Sequence, residues 1–406
     1  MSRPPGRKRI TRAHDRGPSR SAMMPEMANR WVALAVVFVT RSSMGVQFQA
    51  IASVAPLLVS DLGLSYTQIG WLIGIYMLPG TLLALPGGVI GQRLGERRLV
   101  LVGLALMVAG SVLTAAAGGF AAAAGGRLLS GIGAVLMNIL LPKLVADWFA
   151  GRELSTAMAV VLTSWPVGLG VATATLGALA AATSWRTAML ATAALAAFGL
   201  VLMLFFREAP RATAPARATL DARDVRLGIA GGFAWGCFNA SLVTIAAFGP
   251  GLLIARGMTL RDAGFIVSLA IWLTMISVPL GGLLSDRIGR PTLLITLGSF
   301  VAAGATLLLP VWSHAALAFA VVGLAVGGPP GPVMALLPRA VPAARVTAAF
   351  GVFYTVFYVM MALTQPIAGF VRDLAGNPAA PIVVAAVVMA ATVLGVGIFR
   401  RLEHSA

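Results

Sequence analysis

Residues 31–58 read WVALAVVFVTRSSMGVQFQAIASVAPLL, an apolar run long enough to cross a ~30 Å hydrocarbon layer as a helix rising ~1.5 Å per residue. A cation and two amides stand inside it: Arg41, Gln47 and Gln49. Arg30 marks its polar edge, so Arg41 lies roughly 16 Å deeper, close to the middle of the layer. A cation at that depth is costly unless something compensates it, and by default it marks a solute pathway. Carbonyls of a neighbouring helix could also satisfy it, so its partner decides its role.

Outward from this segment the pattern repeats. Apolar runs recur near 67–90, 99–117, 121–146, 154–181, 186–206, 227–254, 263–284, 292–311, 315–337, 347–371 and 379–399, predicting twelve spans in all. With 59% hydrophobic residues, 11% charged residues and a mean hydropathy of +0.91, the chain reads as an integral membrane protein.

The net charge of +17 could suggest nucleic acid, but its distribution follows the predicted loops. If the N-terminus is cytoplasmic, 23 of the 30 Lys and Arg residues fall on cytoplasmic segments and four (Arg186, Arg256, Arg261, Arg372) on the other face. Arg41, Arg127 and Lys143 remain inside spans. By the positive-inside rule both termini are expected in the cytoplasm of a cell inner membrane. The expected partners are therefore the lipid bilayer and a solute, with no nucleic acid. The lone Cys237 lies in an apolar span, so no disulfide or thiol metal site is expected. The first span is too long for a cleavable signal and would act as its own insertion signal.

Residues 1–30, rich in Arg, Pro and Ser, are expected to be a disordered basic tail, within which Met1, Met23, Met24 and Met27 are candidate start sites. Residues 207–226 are polar, contain Pro210 and Pro215, and read as a cytoplasmic linker between six-span segments 31–206 and 227–399; residues 400–406 form a short tail. The two segments look like repeats. Pro86-Gly87-Gly88 through Gly95 answers Gly281-Gly282 through Gly289-Arg290, with Gly88 and Gly282 194 residues apart. Leu140-Leu141-Pro142-Lys143 answers Leu336-Leu337-Pro338-Arg339 at 196, and Pro56 answers Pro250 at 194.

Parallel six-helix repeats with these motifs resemble the major facilitator superfamily along essentially the whole chain past the tail. The fold implied is an all-α membrane protein of twelve transmembrane helices in two six-helix parallel repeats. The loop signature Gly-x-x-x-Asp-Arg-x-Gly-Arg is complete at Gly282, Asp286, Arg287, Gly289 and Arg290. Its first-half counterpart keeps Gly88, Arg93 and Gly95 but has Gln92 for the aspartate and Glu96 for the final arginine. By resemblance, Asp286 should face the start of the fifth span, with Arg152 as partner, and hold the cytoplasmic side closed, a role suited to a carboxylate at a positive helix end. The uncharged Gln92 makes a weaker latch. Arg127 with Gly131 in the fourth span is similar to the family's pattern there. Arg41 upstream of Ser53-Val54-Ala55-Pro56, together with Asn138-Ile-Leu-Leu-Pro142, resembles the cyanate permease group of small-anion transporters.

The acids are informative by position. All thirteen lie in tails, cytoplasmic loops or at helix ends, and the three histidines also lie outside the spans. Arg41 and Arg127 thus have no obvious carboxylate partner, and an anionic solute could supply the missing charge through the guanidinium fork. Arg127, nearer a membrane face, fits either that site or a tie between helices. Lys143 stands four residues before Asp147, which predicts a local ion pair. In the resembling fold the first, fourth, seventh and tenth helices line the path, which favours Gln47, Gln49, Asn138 and Asn239; Tyr354 and Tyr358 in the eleventh span are further candidates, although any single aromatic fits a packing or interfacial position better. Gly323, Gly327, Gly328, Pro329 and Pro330 should break the tenth span, as a kink or a hinge.

The reading is a secondary transporter for a small organic or inorganic anion, rocking two bundles about a midplane site, with no cofactor, no nucleotide motif and a monomer sufficient for function. Efflux of cationic drugs is the rival within transport, weakened by the lack of a membrane acid. A ligand sensor that kept the fold is the rival outside it. An enzyme is disfavoured, since no embedded nucleophile, base and orienting group form a set.

Overall fold

The structure, a computed structural model, describes residues 20–86, 90–91, 94–149, 153–208 and 219–404, excluding the side chains of 20–29 and Ser155. Every regular element among them is an α-helix. Eleven stretches are long and apolar enough to cross a membrane. The first half contains α1 (Arg20–Leu62), α2 (Tyr66–Gly74), α3 (Pro79–Leu83), α4 (Glu96–Ala115), α5 (Phe120–Trp148), α6 (Leu154–Ala182) and α7 (Trp185–Leu204). The second contains α8 (Ala222–Ile254), α9 (Leu260–Ile288), α10 (Pro291–Leu308), α11 (Ala315–Ala325), α12 (Pro330–Ala340), α13 (Ala343–Ala375) and α14 (Ala380–His404).

Two crossings are discontinuous, and in each the sequence supplies the cause. The second crossing was expected as one helix over 67–90, but it stops at Gly74, turns through 75–78 and resumes as α3 at Pro79. Pro79 has no N–H for the carbonyl four residues back, so the ladder cannot continue through it. The tenth crossing breaks between Ala325 and Pro330, at the predicted Gly/Pro run. There Gly327 donates to Leu324 instead of Gly323, and the Ser277 hydroxyl takes the Gly323 carbonyl at 2.7 Å. The released group is thereby satisfied inside the protein, as a broken span requires.

One boundary needs correction: α1 begins at Arg20, so the expected disordered tail to residue 30 gives way to helix over its last turns. Ala22, Met23, Met24, Glu26, Met27 and Ala28 are good helix formers, and a following span extends readily through them. Residues 1–19 and the core of the expected linker, 209–218, lie outside the described residues.

The internal repeat is visible in backbone conformation. Gly95 and Gly289, 194 residues apart at the same motif position, both adopt positive φ, 90° and 68°. Gly289 is left-handed with ψ 14° and Gly95 more extended with ψ 124°, but each turns the chain between one span and the next at a positive φ that glycine adopts without Cβ strain.

Within the first half, α1 packs on α6 and α7, and α4 on α5 and α7; within the second, α8 packs on α13 and α14, and α9 on α11. Across the halves, α2 lies along α13, α6 along α9, and α1 touches α8. Large apolar side chains such as Leu82, Phe198, Leu280 and Leu394 remain on the outside, as on a lipid-facing surface.

Candidate functional site

The site forms where α1 meets α6. Gly45 and Gly168 let the two backbones touch: a Cβ on Gly168 would lie 2.3 Å from the Ser42 carbonyl oxygen. This approach brings Arg41 against one turn of α6. Its Nη1 donates to the Val161 carbonyl at 3.0 Å, to Ser164 Oγ at 3.0 Å and, at 3.5 Å, to the Leu162 carbonyl. Pro166 lies four residues beyond Leu162 and cannot donate to it, so that carbonyl is open to an outside donor. The neighbouring-helix carbonyls that the sequence left open as partners of Arg41 are thus present, while Ser164 was not foreseen, although Ser164-Trp165-Pro166 signals a freed acceptor.

On its other side Arg41 Nη2 donates to Asn138 Oδ1 at 2.8 Å, and Asn138 Nδ2 donates to the Tyr358 hydroxyl at 2.7 Å. Arg41 on α1, Asn138 on α5 and Tyr358 on α13 thus form one chain across the two halves. Tyr354, one turn away on α13, also lies within electrostatic reach of Arg41. Two donors remain available. Among the described residues Arg41 Nε is buried without an acceptor, and the Tyr358 oxygen accepts from Asn138 while donating to none. Arg41 is only 6% exposed and its partners are all neutral, so its charge is uncompensated where it sits.

The other predicted contacts lie elsewhere. Arg127 is a structural clamp: Nε donates to the Leu72 carbonyl at 2.9 Å, Nη1 to Gln47 at 2.8 Å and Nη2 to Phe48 at 3.1 Å. Its guanidinium also lies 4.4 Å from the Tyr76 ring centroid. Leu72 lies in the last turn of α2, so the clamp serves a carbonyl that the break leaves unpaired. Gln47 turns into the first half, where its amide nitrogen donates to Met107 at 3.0 Å and to Ser111, and its oxygen accepts from Tyr76 at 3.2 Å. Gln49 lies between the halves and donates at 3.1 Å to the Ala246 carbonyl, which Pro250 frees. Asn239 bonds back to Trp235 on its own helix at 2.9 Å. Arg127, Gln47, Gln49 and Asn239 thus make no direct hydrogen bond to the Arg41 cluster, and the Gln49 amide oxygen is buried without a partner among the described residues.

Lys143 is also re-partnered. Its ion pair runs to Glu96, which was expected in a loop but is 3% exposed at the start of α4. The pair neutralises both groups near the face that carries the termini. Arg30 similarly pairs with Glu153 at 2.7 Å.

The matching family model describes the Major Facilitator Superfamily and covers residues 37–364 and 227–406. The chain belongs to the Major Facilitator Superfamily. It is 24% identical over 258 residues to the hexuronate transporter of Bacillus subtilis strain 168, covering 60% of this chain and 61% of that one. To a probable L-galactonate transporter of Escherichia coli K12 it is 28% identical over 177 residues, covering 43% and 39%. The chain thus spans about three fifths or less of these curated relatives. The solved nucleoside transporter NupG shares the fold, with a TM-score of 0.72, 14% identity and coverage of 93% and 98%.

In this superfamily member, the complete loop signature ends α9. Asp286, Arg287, Gly289 and Arg290 are all exposed, and the expected Arg152 partner, like Gln92 and Arg93, lies outside the described residues. A latch of the same chemistry stands on the opposite face. Asp373, at the end of α13, accepts from the backbone N–H groups of Tyr66 and Thr67 at 2.9 and 2.7 Å and from the Thr67 hydroxyl at 2.6 Å. A carboxylate here caps the positive end of α2 in the other half, and the Arg372 guanidinium covers the Tyr66 ring at 3.4 Å. Just inside this latch the space between α1 and α8 is nearly filled by Ala52, Ala55, Ala247 and Phe248.

Proposed function

We propose that this superfamily transporter moves a small organic anion, received by Arg41, in a cell inner membrane with both termini cytoplasmic. The observation that carries the reading is the state of the Arg41 guanidinium: buried, surrounded by neutral groups, with Nε–H lacking an acceptor. Nε and Nη2 share one edge of the fork, and that edge is held only by the Asn138 amide oxygen. A carboxylate is a stronger acceptor than an amide, so it can displace Asn138 and bind both nitrogens bidentately. Arg41 and the Asn138-to-Pro142 run are also the residues that carry the resemblance to the cyanate permease group, and hexuronate and galactonate, named for two relatives, are organic anions.

Alternating access follows from the placement of the partners. Arg41 and Asn138 belong to one half and Tyr358 to the other, so an anion that takes Arg41 from Asn138 alters a bond that spans the moving boundary. The Asp373 latch closes the face opposite the termini and the tenth-span break supplies a hinge.

The test is uptake of radiolabelled glucuronate and gluconate into proteoliposomes by counterflow. Wild type should accumulate at least one of them above empty vesicles, and Arg41→Gln should fall to the vesicle background while keeping wild-type yield. Equal counterflow by Arg41→Gln removes Arg41 from the site.

A further inference from the structure

The Arg41 site also limits the charge of what it accepts, an inference that rests on the anion reading above. Among the described residues inside the spans, three cations could meet a solute, and two are engaged. Arg127 gives all its nitrogens to carbonyls and lies against Tyr76. Lys143 is neutralised by Glu96. Arg41 alone keeps an unsatisfied charge and an unused N–H. The groups around it, Asn138, Ser164, Tyr354 and Tyr358, are neutral, and the tyrosine hydroxyls can donate only as uncharged hydrogen-bond partners.

We infer that the substrate is a monovalent organic anion, one carboxylate on a body whose remaining polar groups are uncharged. One negative charge on Arg41 makes a neutral complex. A second would be buried without a counter-charge, a penalty that a neutral hydroxyl offsets only in part. A dicarboxylic acid fits only with one carboxyl protonated. Tyr354, partly buried and in edge contact with Phe357, adds aromatic area within electrostatic reach of Arg41 against which the body of such a molecule can pack, in keeping with an organic anion over a bare inorganic ion.

The experiment is thermal stabilisation of the purified full chain at constant ionic strength. At about pH 7.5, lactate, gluconate and glucuronate are compared with succinate, galactarate and sulfate, and succinate is repeated near pH 5, where it is largely the monoanion. One or more monocarboxylates should raise Tm, with every dianion at least about tenfold weaker, which is about 1.4 kcal/mol. Succinate should gain affinity as pH falls, and Arg41→Gln should abolish each response. A dianion binding as tightly as the best monoanion at pH 7.5 overturns the monovalent inference while leaving the anion site in place. Stabilisation by no anion, or by anions equally in Arg41→Gln, overturns the anion reading itself.

Discussion

Replacing Arg127 by Met should weaken the fold and leave solute recognition intact, the reverse of a change at Arg41. Arg127 is 2% exposed and holds three carbonyls from two crossings. Gln47 and Phe48 lie inside α1, so their carbonyls retain helical partners when the guanidinium is removed. The Leu72 carbonyl does not, because α2 ends just beyond it and Tyr76 makes no bond back to it. One buried orphan acceptor costs about 1–3 kcal/mol. The stacked cation over Tyr76 contributes up to about 2 kcal/mol when desolvated. Relief of the buried charge opposes both, leaving a net loss of about 1–3 kcal/mol. For a chain of 406 residues that is a fall in Tm of roughly 1–4 °C, from about 2.1 cal/mol/K of unfolding entropy per residue. The assay is thermal unfolding in detergent with and without the stabilising monocarboxylate. Arg127→Met should melt lower yet keep the ligand-induced rise, whereas Arg41→Gln should lose that rise. An Arg127→Met protein with wild-type Tm and no ligand response would refute the clamp and return Arg127 to the site.

Two further outcomes follow from the ion pairs and caps. Asp373→Asn removes the charge that caps α2, so the face opposite the termini should open more often, by about tenfold for a loss of ~1.4 kcal/mol; maleimide labelling of Ala247→Cys in a Cys237→Ser background should speed up accordingly, and an unchanged rate would contradict the latch. On the face carrying the termini, Asp221 accepts from the backbone N–H of Asp224 and from Arg345, which together hold its carboxyl below the usual aspartate range. Because the folded value is the lower one, its contribution is present above about pH 3.9 and is lost as pH falls through the folded value. The acid-induced fall in Tm below about pH 4 should therefore be shallower in Asp221→Asn than in wild type, and identical slopes would show that the carboxylate contributes nothing.

Much of the fold is legible along the chain because a bilayer imposes a length and an apolar composition on every crossing, and because charged loops sort by face. The glycine pair at Gly95 and Gly289 and the broken tenth crossing were readable for the same local reason: backbone conformation at Gly and Pro depends on the residue itself. The break at Pro79 was equally local but was hidden within an apolar run that length alone describes as one helix. Arg41 was legible because no acid accompanies it, and Asn138 because it shares a motif with Pro142.

What the chain could not settle was direction. Gln47 and Arg41 lie six residues apart on α1, yet one turns toward α4 and the other toward α6. Arg127 and Arg41 are the same residue type, both buried inside spans, but only Arg127 meets a helix end whose open carbonyl completes its hydrogen bonds. Glu96 and Lys143, 47 residues apart, neutralise each other only because α4 and α5 pack closely. The sequence by itself determined that the protein spans a membrane through twelve crossings in two repeats and carries buried cations without local acids. Tertiary structure alone decided which cation remains unsatisfied, because hydrogen-bond partners are set by which helices touch and at what register, and that depends on packing between segments far apart in the chain.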